Sequence, residues 1–332
     1  MTDILSTTPG LFPLPDLAKD ELSELKGHQK SDLVSGDEGE AVVDAYDRTR
    51  EEFVARQIEA GLDRVLEGQA RWDDMIAHPL AVHDAVETRG IVRYYDNNNF
   101  YREPVVTSDL DFDGDVAADL EAAAELTDAP LQATLPGPYS LFDLATDEHY
   151  GDDESFLAAL AEFLAGETEA LPDHGTLFLL EPSFVESPPG EGLDELASEA
   201  VDAVAGATDA EVVVHTYWGA IPEKPYAHLI DADVDAIGFD FVADHERNLY
   251  NIGEYGTKDS VALGVVDGQN TLVEDPVTVR ERIEWVQEQV PAQSFDTVYA
   301  TANTELFYLP TNKAEAKLDA LAEAAELEEA EA

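Results

Sequence analysis

Apolar residues gather along this chain in two patterns. In the first, short runs are apolar at nearly every position: TLFLLEP (176–182), EVVVHTYW (211–218), DAIGFDFV (235–242) and SVALGVV (260–266). Such runs predict strands buried on both faces, as in a parallel sheet covered by helices. PLQATLP (130–136), TVYATAN (297–303) and LDRVLEG (62–68) predict further strands. In the second pattern apolar residues recur at helical spacing. Residues 41–60 are the clearest case, with Val42, Val43, Tyr46, Phe53 and Ile58 on one stripe and Gly61 as a stop. Helices are also predicted from GPYSLFDLA onward, over 154–170, Leu193–Ala205 and Val277–Gln289, and over a C-terminal helix and acidic tail (313–332). A short apolar segment precedes the FPLPD turn, and residues 20–40 read as a polar loop.

Strand and helix alternate through most of the 332 residues. At least seven strands in that order predict an α/β fold, a single (β/α)8 TIM-type barrel with an extended loop near the N-terminus. An open doubly wound sheet is the alternative. It would normally carry a GxGxxG turn, and the sequence has none.

Charge changes the picture of the surface, not of the core. The chain has 73 Asp+Glu against 18 Lys+Arg, a formal charge of -55, and only seven lysines. Such a charge self-repels in dilute salt and is screened at molar salt. The acids are spread through the sequence, which reads as adaptation to a multimolar-salt cytoplasm, in the haloarchaeal manner. No basic stripe exists to neutralise phosphates, so nucleic acid is not an expected partner. There is no cysteine. Disulfides, a thiolate zinc site and a cysteine nucleophile are thereby excluded. No apolar run is long enough to span a membrane, and the start MTDILSTTPGLFPLP lacks a secretion signal's features, so a cytoplasmic protein is expected.

In a barrel of this kind chemistry gathers where strands finish. The predicted strands finish on Glu181, His215 and Tyr217, Asp240, Asp267 and Asn270, and Asn303. Any one of them is also what a capping or turn residue looks like; together they would ring one face. His215 with Glu181 or Asp240 could act as acid and base. His215 and Asp240 alone are too few for zinc, so no metal is expected on this chain, with a hard oxygen-ligated cation as the open alternative. RYYDNNNFYREP (93–104) reads as a binding loop or as a surface loop packed by its own rings, with Arg93 and Arg102 as rare cations. Lys19 is a third, and such cations near the mouth could receive an anionic tail.

Taken together, these segments resemble the cobalamin-independent methionine synthase family. GLFPLPDLAK (10–19) is similar to the family's opening Gly-Phe-Pro-Arg turn, although its basic segment is thinned to DLAK. RQIEAGLDRVLEGQARWDDMI (56–76), LPGPYSL (135–141) and LLEPSFV (179–185) resemble its Gln-x-x-Ala-Gly-Ile-Asp, Gly-Pro-x-Thr and Asp-Glu-Pro-x-Leu motifs, with Leu180 in place of the Asp. HTYWGAI (215–221) resembles the N-terminal half's Thr-Thr-Tyr-Phe rather than the catalytic half's His-x-Cys. IGFDFV, GVVDGQNTLVED, ATANTELFYLP and RYYDNNNFY resemble the N-terminal half as well.

The family enzyme has two barrels, and its C-terminal barrel holds zinc and activates homocysteine. The resemblance implies a zinc-free barrel that helps to hold the polyglutamate tail of methyltetrahydrofolate, the methyl donor. It assigns tail binding to Arg93 and Lys19, and places Asn270 and Asn303 among substrate-binding candidates. The expected partner is a separately encoded zinc-bearing barrel, the two forming a split methionine synthase. Two other readings stay open: a non-catalytic binding protein for a pteridine or methyl carrier, and a self-sufficient metal-free methyltransferase using His215 with Glu181 or Asp240.

Overall fold

The computed structural model describes residues 2–16, 18–19, 38–72, 74–93, 95 and 100–327. The loop expected over 20–40 therefore lies almost wholly outside the described residues, as does the acidic tail past 327.

Seven strands form one parallel sheet: β1 (Asp3–Ser6), β4 (Gln132–Pro136), β6 (Thr176–Leu180), β7 (Glu211–His215), β8 (Ala236–Asp240), β9 (Ser260–Val266) and β10 (Thr297–Ala302). Their spatial order is β1-β10-β9-β8-β7-β6-β4. Strands β4, β6, β8 and β9 are buried at every position, which is why the sequence shows runs and not alternation. Phe178, His215 and Tyr299 meet ring to ring, with centroids 6.0 Å from Phe178 to each of the others.

The segment expected as a strand over 62–68 is reduced to one bridge, Val65 to Leu131. It still fills the eighth position of the barrel. On one side the amides of Asp63 and Arg64 donate to the Ser6 carbonyl at 3.2 and 3.3 Å. On the other, Val65 N donates to Pro130 O at 3.0 Å and Gln132 N to Val65 O at 2.9 Å. Beyond Val65 no ladder continues, because the Gln57 side chain takes both backbone groups of Leu66, accepting from its N–H at 3.0 Å and donating to its carbonyl at 2.8 Å. One amide side chain thus replaces a neighbouring strand.

Helices cover the barrel: α1 (Glu40–Ala60), α2 (His78–Ala81), α3 (Asp115–Ala124), α4 (Pro138–Leu144), α5 (Asp153–Ala170), α6 (Ser183–Glu186), α7 (Leu193–Ala205), α8 (Glu223–Leu229), α9 (His245–Tyr255), α10 (Pro276–Gln289) and α11 (Thr311–Glu326). The expected helices are all present within a few residues.

The segment before β4 differs from expectation. It forms a hairpin of β2 (Val86–Arg93) and β3 (Phe100–Val106), which β5 (Thr146–Asp147), from beyond β4, completes as a three-stranded sheet in the order β2-β3-β5. The β2–β3 pair is antiparallel and β3–β5 is parallel. Arg93 therefore ends a strand, opposite Phe100, and most of RYYDNNNFYREP is hairpin. Its tip, residues 94 and 96–99, lies outside the described residues. Seven of the eight residues of β2 are exposed, so no burial pattern in the sequence marks it.

Candidate functional site at the C-terminal end of the barrel

The strand-end residues do converge at the carboxyl ends of the strands, and most of them are committed to backbone. Glu181, just past β6, is fully buried. Its carboxylate accepts from Tyr139 N (3.0 Å), Ser140 N (2.8 Å) and Ser140 Oγ (2.6 Å), at the start of α4. Burial pushes its pKa up to about 7, those three bonds restrain the rise, and Asp143 adds to it. Gly137 is required here: a Cβ would sit 2.1 Å from the Glu181 carboxyl carbon.

Asp240 ends β8 and gathers three loops. It accepts from Trp218 N at 2.9 Å, from Val242 N and Ala243 N at 2.9 and 2.8 Å, and from Asn303 Nδ2 at 3.1 and 3.0 Å. Burial raises its pKa to about 6 against these donors. Asn303 in turn accepts from Gly268 N at 2.8 Å. Asp240 and Asn303 are thus one hydrogen-bonded unit that fixes the loops after β7, β8 and β10.

His215 faces two carbonyls, Nδ1 at 2.9 Å from Thr216 O and Nε2 at 3.2 Å from Ala302 O. Burial lowers its pKa to about 4, so the ring is neutral near pH 7 and donates to one of the two. It has no path to solvent, being fully buried. The residues at this place do not fit zinc: His215 is held by backbone and there is no thiolate. Among the described residues no three His, Asp or Glu side chains converge as a metal-holding group.

The binding candidates are not brought together. Asn270 is exposed and accepts from Leu272 N at 3.0 Å, a turn contact. Lys19 donates to Thr311 Oγ1 at 3.1 Å and lies 3.6 Å from Asp16, at the start of α11. Arg93 is exposed at the end of β2. A cleft of about 720 Å³ lies between residues 82–85 and the segment leading into α3, and five aspartates line it: Asp84, Asp109, Asp111, Asp113 and Asp115. Its sign is wrong for an anionic tail.

Glu305 escaped the sequence reading. It follows β10 and is fully buried, and neither carboxylate oxygen has a hydrogen-bond donor of good geometry. Burial pushes its pKa up to about 8, and Asp74 adds to the rise. The Tyr217 hydroxyl is near enough to influence this proton affinity, yet makes no hydrogen bond of good geometry. The signal was available: TELFYLP sets one charged residue inside an otherwise apolar stretch. An aromatic row runs beside it, with ring centroids 5.4 Å from His215 to Tyr217, 5.6 Å to Trp218 and 5.3 Å on to Tyr95.

The fold and the site define a parallel α/β barrel whose C-terminal mouth is closed by a layer of buried carboxylates, amides and aromatic rings. The family model described as "Cobalamin-independent synthase, N-terminal domain" matches residues 82–291. The chain belongs to that family, the cobalamin-independent methionine synthases. It is 24% identical to a methionine synthase of Saccharolobus solfataricus over 295 residues, covering 87% of this chain and 84% of that one. It is 24% identical over 250 residues to the 5-methyltetrahydropteroyltriglutamate–homocysteine methyltransferase of Bacillus subtilis, covering 73% of this chain but only 32% of that protein. A B12-independent methionine synthase of a Shewanella species, solved with selenomethionine, shares the fold with TM-score 0.76 at 20% identity, covering 97% and 96% of the two chains. A putative B12-independent enzyme of Listeria monocytogenes gives TM-score 0.73 at 19% identity, with 98% of each chain covered.

Proposed function

We propose that this chain is the zinc-free component of a split methionine synthase, acting with a zinc-bearing barrel encoded separately. The observation that carries the reading is the match to the family's N-terminal domain in a chain whose mouth residues do not fit zinc. This chain spans 32% of the length of the Bacillus relative and 84% of the Saccharolobus one. The name of that relative supports a polyglutamylated methyltetrahydrofolate as methyl donor. His215 is too deeply held to serve as the base of a self-sufficient methyltransferase, which favours the two-component reading.

Methionine formation should be assayed with this chain alone, with a zinc-bearing barrel of the family alone, and with both in concentrated salt. The expected result is little turnover by this chain and a gain on mixing. Unchanged activity together with no co-elution sinks the proposal. Arg93→Ala should weaken a polyglutamylated folate more than its monoglutamate, since only the tail contact is lost. Equal weakening removes Arg93 from that role.

A further inference from the structure

Three buried carboxylates face the mouth, and their hydrogen bonding separates them. Glu181 holds three donors and Asp240 holds donors from three loops. Both are fastenings for the chain. Glu305 has no donor of good geometry on either oxygen, its nearest being the poorly aligned Tyr217 hydroxyl. Two further groups nearby share that condition: the Tyr217 hydroxyl and the Trp218 indole N–H, both shielded from solvent. The large majority of buried side-chain polar groups in folded proteins are partnered, so such groups gathered at one place call for an explanation.

The chemistry of the three groups defines what would satisfy them. Glu305 in its ionised form accepts only; Tyr217 donates and accepts; the Trp218 indole only donates. A primary ammonium brings three N–H donors, enough for both Glu305 oxygens and the Tyr217 oxygen. The faces of Tyr217 and Trp218, 5.6 Å apart by centroid, favour a positive charge beside them. The Trp218 N–H then asks for an oxygen acceptor on the same molecule.

We infer that Glu305, Tyr217 and Trp218 form a binding site for a small primary amine that carries a neighbouring hydroxyl oxygen, an amino alcohol being the simplest such compound. Trp218 is the one half-buried member of the three, so a ligand would enter from its side. Its φ of 64° lies in the left-handed region, where a bulky side chain is strained and persists only for a structural or functional reason. The inference does not depend on methionine synthesis, on a partner or on folate.

Binding has a proton balance. Near pH 7 the Glu305 carboxyl holds its proton in the free protein, since burial keeps its pKa at about 8, with Asp74 and Tyr217 as the titratable groups facing it. The amine arrives as an ammonium. The carboxyl ionises to pair with it, and the proton passes to the buffer; no bond of the ligand is made or broken.

Ethanolamine and choline test the site, because choline keeps the charge and the hydroxyl but has no N–H. Both are titrated calorimetrically into the full chain at one fixed high salt concentration, in two buffers of different ionisation enthalpy. Ethanolamine should bind with release of close to one proton and should raise the unfolding midpoint by a few degrees. Choline should do neither. Glu305→Gln should weaken ethanolamine by about 10- to 100-fold and abolish the proton release. Tyr217→Phe, which keeps the ring, should weaken it by a smaller factor. Equal binding of choline, ethanolamine binding that survives Glu305→Gln, or no binding of ethanolamine to the wild-type chain would each overturn the inference. Should Glu305→Gln fail to fold, Tyr217→Phe and the choline contrast still decide it.

Discussion

Glu181 and Glu305 are both fully buried acids at the mouth of one barrel, and their surroundings give them opposite properties. Glu181 is anchored by three donors, so it cannot step aside for a neighbour. Gly137→Ala would drive a methyl to 2.1–2.3 Å from its carboxyl atoms. Overpacking of this kind costs about 1–3 kcal/mol, to be read from urea unfolding; an unchanged midpoint would mean that the carboxylate is not fixed. Glu305 lacks anchors, and its contribution is a dependence on pH. Its pKa is raised from 4.5 to about 8 on folding. Between those values the native state holds a proton that the unfolded chain has lost, so stability falls as pH rises through that window. Glu305→Gln should therefore be more stable than wild type at pH 8, by about 1–4 kcal/mol, with the difference shrinking toward pH 5. A constant difference across the window would show that Glu305 does not titrate with folding. His215 works in the other direction. Its lowered pKa costs stability as pH falls below 6.5 toward 4, where the unfolded imidazole charges first.

At the scale of elements, the barrel strands were legible because they are apolar runs, and the helices because their stripes recur. The segment over 62–68, which fills the eighth position of the barrel, differs from the strand expected there for a definite reason. LDRVLEG has the composition of a strand, but Gln57 on α1 pairs with Leu66 through its side chain, and no local pattern announces that. Gln57→Leu would leave the Leu66 N–H and carbonyl buried without partners. A loss of about 2–4 kcal/mol is expected, together with faster hydrogen exchange at the Leu66 amide. Normal protection at Leu66 would show that a ladder forms there after all. The β2–β3 hairpin was missed because an exposed strand carries no burial period. The site was half legible. A polar residue ending an apolar run marks a strand end, which located Glu181, His215, Asp240 and Asn303. What those residues do depends on backbone amides of distant loops, such as Trp218 N on Asp240, and sequence spacing does not contain them.

For the whole molecule, a formal charge of -55 opposes compaction, yet the charge is not handled in one way throughout. Most acids lie on the surface, where screening reaches them. A minority meet arginines inside. Arg71 is 2.9 Å from Asp115 and 3.0 Å from Asp119, with Glu38 at 3.5 Å, and its side chain is only 13% exposed. Arg50, 4% exposed, joins the same cluster through Asp119 at 2.6 Å. These two populations respond differently to salt. Between about 0.1 and 1 M the Debye length falls from about 10 to about 3 Å, so surface repulsion is largely removed over that range. The unfolding midpoint should rise steeply across it and more slowly above. Arg71→Met probes the second population, because it removes the cation that Asp115 and Asp119 share and leaves them with His78 and Arg50. Removing one partner from a buried ionic cluster costs about 3–5 kcal/mol. Since salt barely penetrates the cluster, the deficit should be nearly the same in dilute and molar salt, running parallel to the wild-type curve. Arg89→Ala, which breaks the exposed pair with Glu148, should cost little and only in dilute salt. If concentrated salt instead rescued Arg71→Met, the cluster would be open to ions, and surface and interior charge would be a single population.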